Sequence, residues 1–396
     1  MVHTGRHFLQ IPGPTNVPDR VLRAMGRPTI DHRGPEFATL SLEVLESLRP
    51  IFQTRAPVVV FPASGTGACE AALVNTLSPG DRVLINETGW FSHIAWRTVA
   101  ERLGLNVDYV PGDWRRGASP DSVETRLRDD SARGIKAVVV VHNETSTGVT
   151  SRIEDIRRAM NRANHPALLI VDTISSLASI DYRHDEWEVD VTVAGSQKGL
   201  MLPPGLGFNA VSVKAMAAGK TAKLPRSYFD WREMIRANQA GFYPYTPATS
   251  LLYGLHEALA MLQEEGLSNV FRRHARHAEA TRAAVRAWGL DIVCAEPREY
   301  SNTLTAVLLP EGHDADKVRE LILEKFDMSL GTGLGKLAGK VFRIGHLGSF
   351  NDLMLAGTLS GVEMGLRLAD VPIREGGVTA ALKALAPSED NVPTGR

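Results

Sequence analysis

The chain has 396 residues, with 43% hydrophobic and 22% charged content and a formal net charge of −1. That length exceeds what one compact core holds and suits two packed lobes. A charge so close to zero gives no electrostatic reason to expect nucleic acid or an anionic membrane as partner. Two cysteines, Cys69 and Cys294, cannot build a disulfide framework, which points to a reducing compartment. The opening stretch MVHTGRHFLQIPGP lacks the apolar core of a secretory signal, and no apolar run approaches a membrane span. The ending Thr394-Gly-Arg is not a peroxisomal address. A cytoplasmic protein is expected.

Pro12, Pro14 and Pro18 predict an extended arm over residues 1–20, because proline disfavours helix and ladder alike. Glu36–Phe52 turns helical, with Phe37, Leu40, Val44, Leu45, Leu48, Ile51 and Phe52 on one face. Short β-branched or apolar runs then alternate with helical ones: Pro57–Phe61, Arg82–Ile85, Val107–Val110, Lys136–Val141, Ala167–Val171, Val189–Val193 and Phe208–Val213. Crossover helices fit between most of them, as in Ser119–Arg128 and Ser151–Asn164. This alternation predicts an α/β fold with a mainly parallel seven-stranded sheet covered by helices on both faces. After about residue 245 the rhythm changes. Helices are expected over Thr249–Glu265 and Leu267–Trp288, then a strand at Thr305–Leu309, a helix at Ala315–Phe326, a strand at Val341–Gly345 and a helix at Asn351–Leu368. The organisation read from this is an arm (1–20), a large domain (21–265), a smaller C-terminal α+β domain (266–387) and a disordered tail (388–396).

Three features carry chemistry. Ser64-Gly-Thr-Gly-Ala68 follows a strand and opens an apparent helix, Cys69–Leu77; a glycine-rich turn at a helix N-terminus suits a phosphate, and a tight turn explains it about as well. It lacks the third glycine of a dinucleotide fingerprint and the lysine of a Walker loop, and Gly219-Lys220-Thr221 fails as a Walker loop too. Asp172 ends the run Ala167–Val171, at the carboxyl end of a buried strand where open α/β sheets bind ligands; a helix N-cap is the plainer reading. Lys198 lies in Ala194-Gly-Ser-Gln-Lys-Gly-Leu-Met-Leu-Pro-Pro-Gly-Leu-Gly207, between two apolar runs and among small residues rather than charges. Phosphate turn, strand-end acid and glycine-flanked lysine together match the needs of pyridoxal phosphate: a seat for its phosphate, a carboxylate for its pyridine nitrogen and an amine for a Schiff base.

The strings SGTGACEAALVNTLSPGD, VVHNETSTGV, LLIVDTISSL, AGSQKGLMLPPG and GKVFRIGHLG resemble the class V, fold type I aminotransferases, and among them the serine–glyoxylate and alanine–glyoxylate enzymes. The resemblance runs from Pro12 to about Leu368. It implies Lys198 as the Schiff-base lysine and Asp172 as partner of the ring nitrogen, these two being the catalytic pair. It implies Thr66, Gly67, Ala68 and Gln197 at the phosphate, Phe91 stacked on the ring with Trp90 as its rival, Thr145 on the ring hydroxyl and Ile174 beside it. Relatives often have serine, glycine and histidine at the phosphate turn, so Ala68 offers only backbone. Arg343 matches the arginine that takes the substrate carboxylate, and Thr15 and Asn16 on the arm are placed at the substrate, with Pro14, His32 and Arg33 nearby. Tyr243 and Thr246 match residues that reach the neighbouring subunit's phosphate, which implies a homodimer with shared active sites. No metal is implied.

The expected reaction is a ping-pong transamination from serine to glyoxylate, with aspartate or alanine as other donors. A cysteine desulfurase would need a nucleophilic cysteine in Ser329–Lys340, and that stretch has none. A non-catalytic α/β binding protein is the reading from another class. His274 and His277 are expected on a solvated helix face, His256-Glu257 lacks the second histidine of a zinc helix, and Cys69 is read as packing.

Overall fold

The computed structural model of the chain describes residues 5–386, so the disorder expected at 388–396 falls outside the described residues. The chain opens with a short strand, Phe8–Gln10 (β1), followed by Val58–Ala63 (β2), Arg82–Asn86 (β3), Asn106–Val110 (β4), Ile135–Val141 (β5), Leu168–Asp172 (β6), Val191–Gly195 (β7) and Gly205–Val211 (β8). Strands β2 to β8 form one seven-stranded sheet in the order β2-β8-β7-β6-β5-β3-β4. From β7 to β4 all neighbours are parallel. Strand β8 alone runs against both of its neighbours. Chain length decides this. A parallel connection needs a crossover of a dozen or more residues, and only residues 196–204 join β7 to β8. The link is therefore a wide hairpin, and Lys198 lies in it.

Side-chain alternation puts Val58, Val60, Leu84, Val138 and Val140 in the core beneath helices Pro35–Phe52 and Thr249–Glu265. Val59, Phe61, Val83, Ile85, Ala137 and Val139 face the opposite core, against helix Gly65–Thr76. Because both faces are covered, the strands read as continuous apolar runs.

A second sheet is built from β1 with Asp291–Ile292 (β9), Leu304–Leu308 (β10), Met328–Thr332 (β11) and Val341–Gly345 (β12), in the order β1-β11-β12-β10-β9. Its own core packs on helices Leu267–Trp288, Ala315–Phe326, Asp352–Leu368 and Gly377–Leu385. No helix among the described residues is long and apolar enough to cross a membrane.

Three expectations are corrected. The arm does join a ladder, Phe8–Gln10 pairing in parallel with Met328–Leu330; residues 8–10 precede the first proline and keep their N–H groups. The helix after β2 starts at Gly65 rather than Cys69, because Ser64 caps it by accepting from the Gly67 N–H at 3.3 Å. His274 and His277 are buried, not solvated. His274 Nδ1 donates to Val270 O at 2.7 Å while Nε2 accepts from Gly348 N, so local partners replace water on both of its nitrogens; His277 Nε2 meets Asp352 at 2.9 Å, with Nδ1 unpartnered among the described residues.

Candidate active site

The hairpin between β7 and β8 bends back over the carboxyl ends of the parallel strands. Lys198 is 7% exposed, and its amine donates to the Pro12 carbonyl of the N-terminal arm. The arm crosses the amine at Gly13, whose φ of +108° favours glycine and where a Cβ would lie 2.6 Å from Lys198 Cε. Two bonds from Thr15 pin the crossing: its N–H to Gln197 O at 3.0 Å and its hydroxyl to Lys198 O at 3.2 Å. Asn16 points elsewhere, donating its amide to Leu9 O at 3.0 Å.

Helix Gly65–Thr76 starts beside this hairpin. An added Cβ on Gly195 would meet Gln197 Oε1 at 2.9 Å and the Gly65 Cα at 3.6 Å, and one on Gly65 would press on Ile174 Cδ1. Gln197, Gly65 and Ile174 thus share one corner. Gln197 Oε1 is buried there with no partner among the described residues. Thr66 is exposed at the helix start, whereas Ala68 is buried with its N–H already donated to Ser64 O. The unused N–H groups of this helix end lie ahead of Ala68.

Asp172 ends β6 and is 3% exposed. Its Oδ1 accepts from the Ile174 N–H and its Oδ2 from Trp96 Nε1, both at 2.9 Å. No cation is among its hydrogen-bond partners. Burial lifts its carboxyl to about 6, against the pull of those two donors. Burial brings the Lys198 amine down to about 7, helped by the Arg343 charge and opposed by Asp172 and Glu144.

Trp96 and Glu144 are two residues that sequence reasoning missed. Trp96 rides on a π-helical turn, Ser92–Arg97, a geometry concentrated at functional sites but without a sequence signature. Glu144 is fully buried and accepts from Phe91 N, Ser92 N, Ser146 N and Ser146 Oγ. A carboxylate inside the buried stretch His142–Ser146 is a signal that could have been read.

Arg343 comes from β12 of the second sheet and is 6% exposed. Its Nε donates to Thr332 O at 2.8 Å and its Nη1 to Thr145 O at 2.7 Å. Burial lowers the guanidinium to about 10. Arg343 and Thr145 therefore meet across the two sheets. The Trp90 ring packs beside Gly335, where a Cβ would lie 2.7 Å from Trp90 Cε3, and 6.0 Å from the His93 ring. Phe91 takes no part in that cluster. Tyr243 packs edge-on to Phe37 at 6.0 Å with its hydroxyl buried, while Thr246 is exposed. Cys69 is buried in the core with its thiol pushed up by burial and by Asp172. Cys294 is also buried, and burial lifts its thiol to about 11, which makes it a poor nucleophile.

The family model for the class-V aminotransferases matches residues 7–343. The chain is 50% identical to serine–glyoxylate aminotransferase of Methylorubrum extorquens over 95% of each chain. It is 47% identical to L-aspartate–glyoxylate aminotransferase of Paracoccus denitrificans over 96% of each. Among solved structures, pyridoxamine–pyruvate aminotransferase of Mesorhizobium loti superposes with a TM-score of 0.89 at 29% identity, covering 97% of this chain and 98% of that one.

Proposed function

The chain belongs to the class-V aminotransferases, a family that works with pyridoxal 5′-phosphate, and from that premise we propose that it transfers the amino group of serine to glyoxylate, giving glycine and hydroxypyruvate. What carries the reading is a buried amine at Lys198 set against a buried carboxylate at Asp172 that has no cation partner. Both relatives near half identity are named for glyoxylate, which supports it as acceptor. The residues fit the cofactor: the partnerless Gln197 oxygen beside the Gly65 helix start suits a ligand donor or ordered water at a phosphate seat.

In this reading Thr66, Gly67 and Gln197 hold the phosphate, with Ala68 behind them as packing. Asp172 would hold the ring nitrogen in its protonated form. Ile174 and Phe91 would pack on the ring, and Thr145 would hydrogen-bond its hydroxyl. Bound there, the cofactor supplies the electron sink for the bond broken at the donor's α-carbon. Arg343 grips the α-carboxylate of donor and acceptor alike, its fork held open by the Thr332 and Thr145 carbonyls. Lys198 Nζ, about half uncharged at pH 7, takes the α-proton and returns it. Thr15 steadies the arm over the site, and Asn16 acts at one remove by tying that arm to itself.

The chain is read as a dimer in which the exposed Thr246 reaches the partner's phosphate seat and the Tyr243 ring anchors the segment from behind. It is read as an arm, a large domain (21–265) and a small one (266–387), supported by the separate cores of the two sheets. Two unpaired cysteines support a cytoplasmic location.

Aspartate as donor is the second reading, favoured by the Paracoccus relative. Half-transamination separates them. The cofactor-loaded protein is offered serine, aspartate and alanine in turn, and the loss of the lysine-bound absorption band is timed. Serine is expected to be fastest; a clear lead for aspartate overturns the donor assignment and leaves the family intact.

A further inference from the structure

Asp172 is a carboxylate in a place that favours its acid. Burial opposes its charge, and no lysine or arginine is within hydrogen-bonding distance of it. Two N–H donors oppose protonation, one for each oxygen. The first, from Ile174, belongs to the turn that follows β6. The second is the only side-chain partner that Asp172 has among the described residues: Trp96 Nε1, on a fully buried indole, 2.9 Å from Oδ2.

The fold takes trouble over this contact. Trp96 lies on the turn Ser92–Arg97, where the Thr98 N–H bonds back to His93 O, five residues earlier rather than four. At the front of the same turn the Phe91 and Ser92 N–H groups are fixed by the buried Glu144. The wider turn and its anchored start bring the indole to the strand end. An indole N–H only donates and does not titrate in the working range. It therefore favours the ionised carboxylate over the acid at every pH, which a histidine in its place would not do.

We propose that Trp96 is a positioning residue that keeps Asp172 ionised and aimed at the cofactor's ring nitrogen. The inference rests on the reading of Asp172 given above. Two measurements test it. In the cofactor-free protein carrying 5-fluorotryptophan, the Trp96 fluorine resonance is assigned by its loss in W96F or its shift in D172N. It is expected to move with pH as Asp172 titrates, around pH 6, and to stop moving in D172N. In W96F the cofactor dissociation constant, from equilibrium dialysis, is expected to rise about tenfold to a hundredfold, the range for a hydrogen bond to a charged group. Loss of the donor raises the Asp172 carboxyl further, so the deficit of W96F against the unmodified protein should shrink as pH rises, which simple misfolding would not produce. A Trp96 resonance indifferent to pH, or W96F binding within twofold of normal with an unchanged pH profile, overturns the proposal. If D172N also binds cofactor normally, the reading of Asp172 falls; if only W96F is normal, that reading stands and Trp96 alone is wrong. Should W96F fail to fold, the fluorine titration of the intact chain still decides.

Discussion

The reactivity of Lys198 is the sharpest quantity the site offers. Its amine, ordinarily near 10.5, is held at about 7 by burial and then by the Arg343 charge. At pH 7 about half of it is neutral, against roughly one molecule in three thousand for a solvated lysine. The perturbations are R343Q and D172N, and their signs are opposite. Arg343 depresses the amine, so R343Q should raise its midpoint; Asp172 supports the charged form, so D172N should lower it. The assay is competitive acylation of the cofactor-free protein with a trace of labelled acid anhydride from pH 5 to 11. The Lys198 peptide is quantified by mass spectrometry against the other lysines. Expected are half-maximal labelling near pH 7, a shift up in R343Q and a shift down in D172N. General loosening of the site would move both variants toward the solvated value. A wild-type midpoint above about 9, or shifts of the same sign in both variants, refutes the reasoning.

Replacing Lys198 by alanine should abolish turnover and the lysine-bound absorption band; measurable wild-type activity in that variant would end the assignment. R343K should lower kcat/KM about tenfold to a hundredfold, and equally for serine, aspartate and alanine, because the lost fork met only the shared α-carboxylate; unequal losses would place Arg343 at the side chain instead. G13A should cost about 1–2 kcal/mol from its left-handed backbone alone, and should also displace the arm from Lys198, seen as a lower denaturation midpoint with weaker cofactor retention; an unchanged midpoint contradicts the close approach. Stability should fall below pH 6.5, because buried His142 and His184, lowered to about 4, and His274, lowered to about 3, stay neutral in the fold while the unfolded chain protonates. Each histidine contributes up to about 1.4 kcal/mol per pH unit between 6.5 and its folded value, and Asp172 and Glu144, both raised by burial, act with the opposite sign. Denaturant titrations flat from pH 7 to 5 would contradict this.

The two-sided sheet was legible because its strands are apolar on both faces, and the helices Thr249–Glu265, Leu267–Trp288 and Ala315–Phe326 run between the expected residues. Strand β11 was hidden: Met328–Thr332 opens a glycine-rich stretch that reads as loop, and its partner β1 lies ahead of three prolines. Neither strand has a signal without the other, since a pairing across more than 300 residues leaves no local trace. His274 and His277 misled for a related reason. Arginines surround them in sequence, yet Arg276 is exposed and Arg273 only part-buried, while His274 and His277 beside them are buried and share Gly348 and Asp352 with these arginines. Lys198, Asp172 and Arg343 stand out in the sequence through motif order, but the contact of Trp96 with Asp172 depends on a π-turn, and no spacing rule anticipates it.

Arg343 and Lys198 are linked by more than proximity. With no carboxylate bound, the Arg343 charge depresses the Lys198 amine, which favours the neutral form needed to attack a carbonyl. On the proposed roles, a substrate carboxylate on Arg343 would cancel that influence, and the amine would become more basic at the stage where it takes a proton from the α-carbon. Glu144 cannot give this response, because its oxygens are already occupied by four donors. The sign of the linkage is measurable. A dicarboxylate or monocarboxylate inhibitor that engages Arg343 should raise the acylation midpoint of Lys198 in the cofactor-free protein, as R343Q does, and should have no further effect in R343Q itself. A midpoint that falls on binding, or that moves as far in R343Q as in the unmodified chain, would show that the two cations act separately.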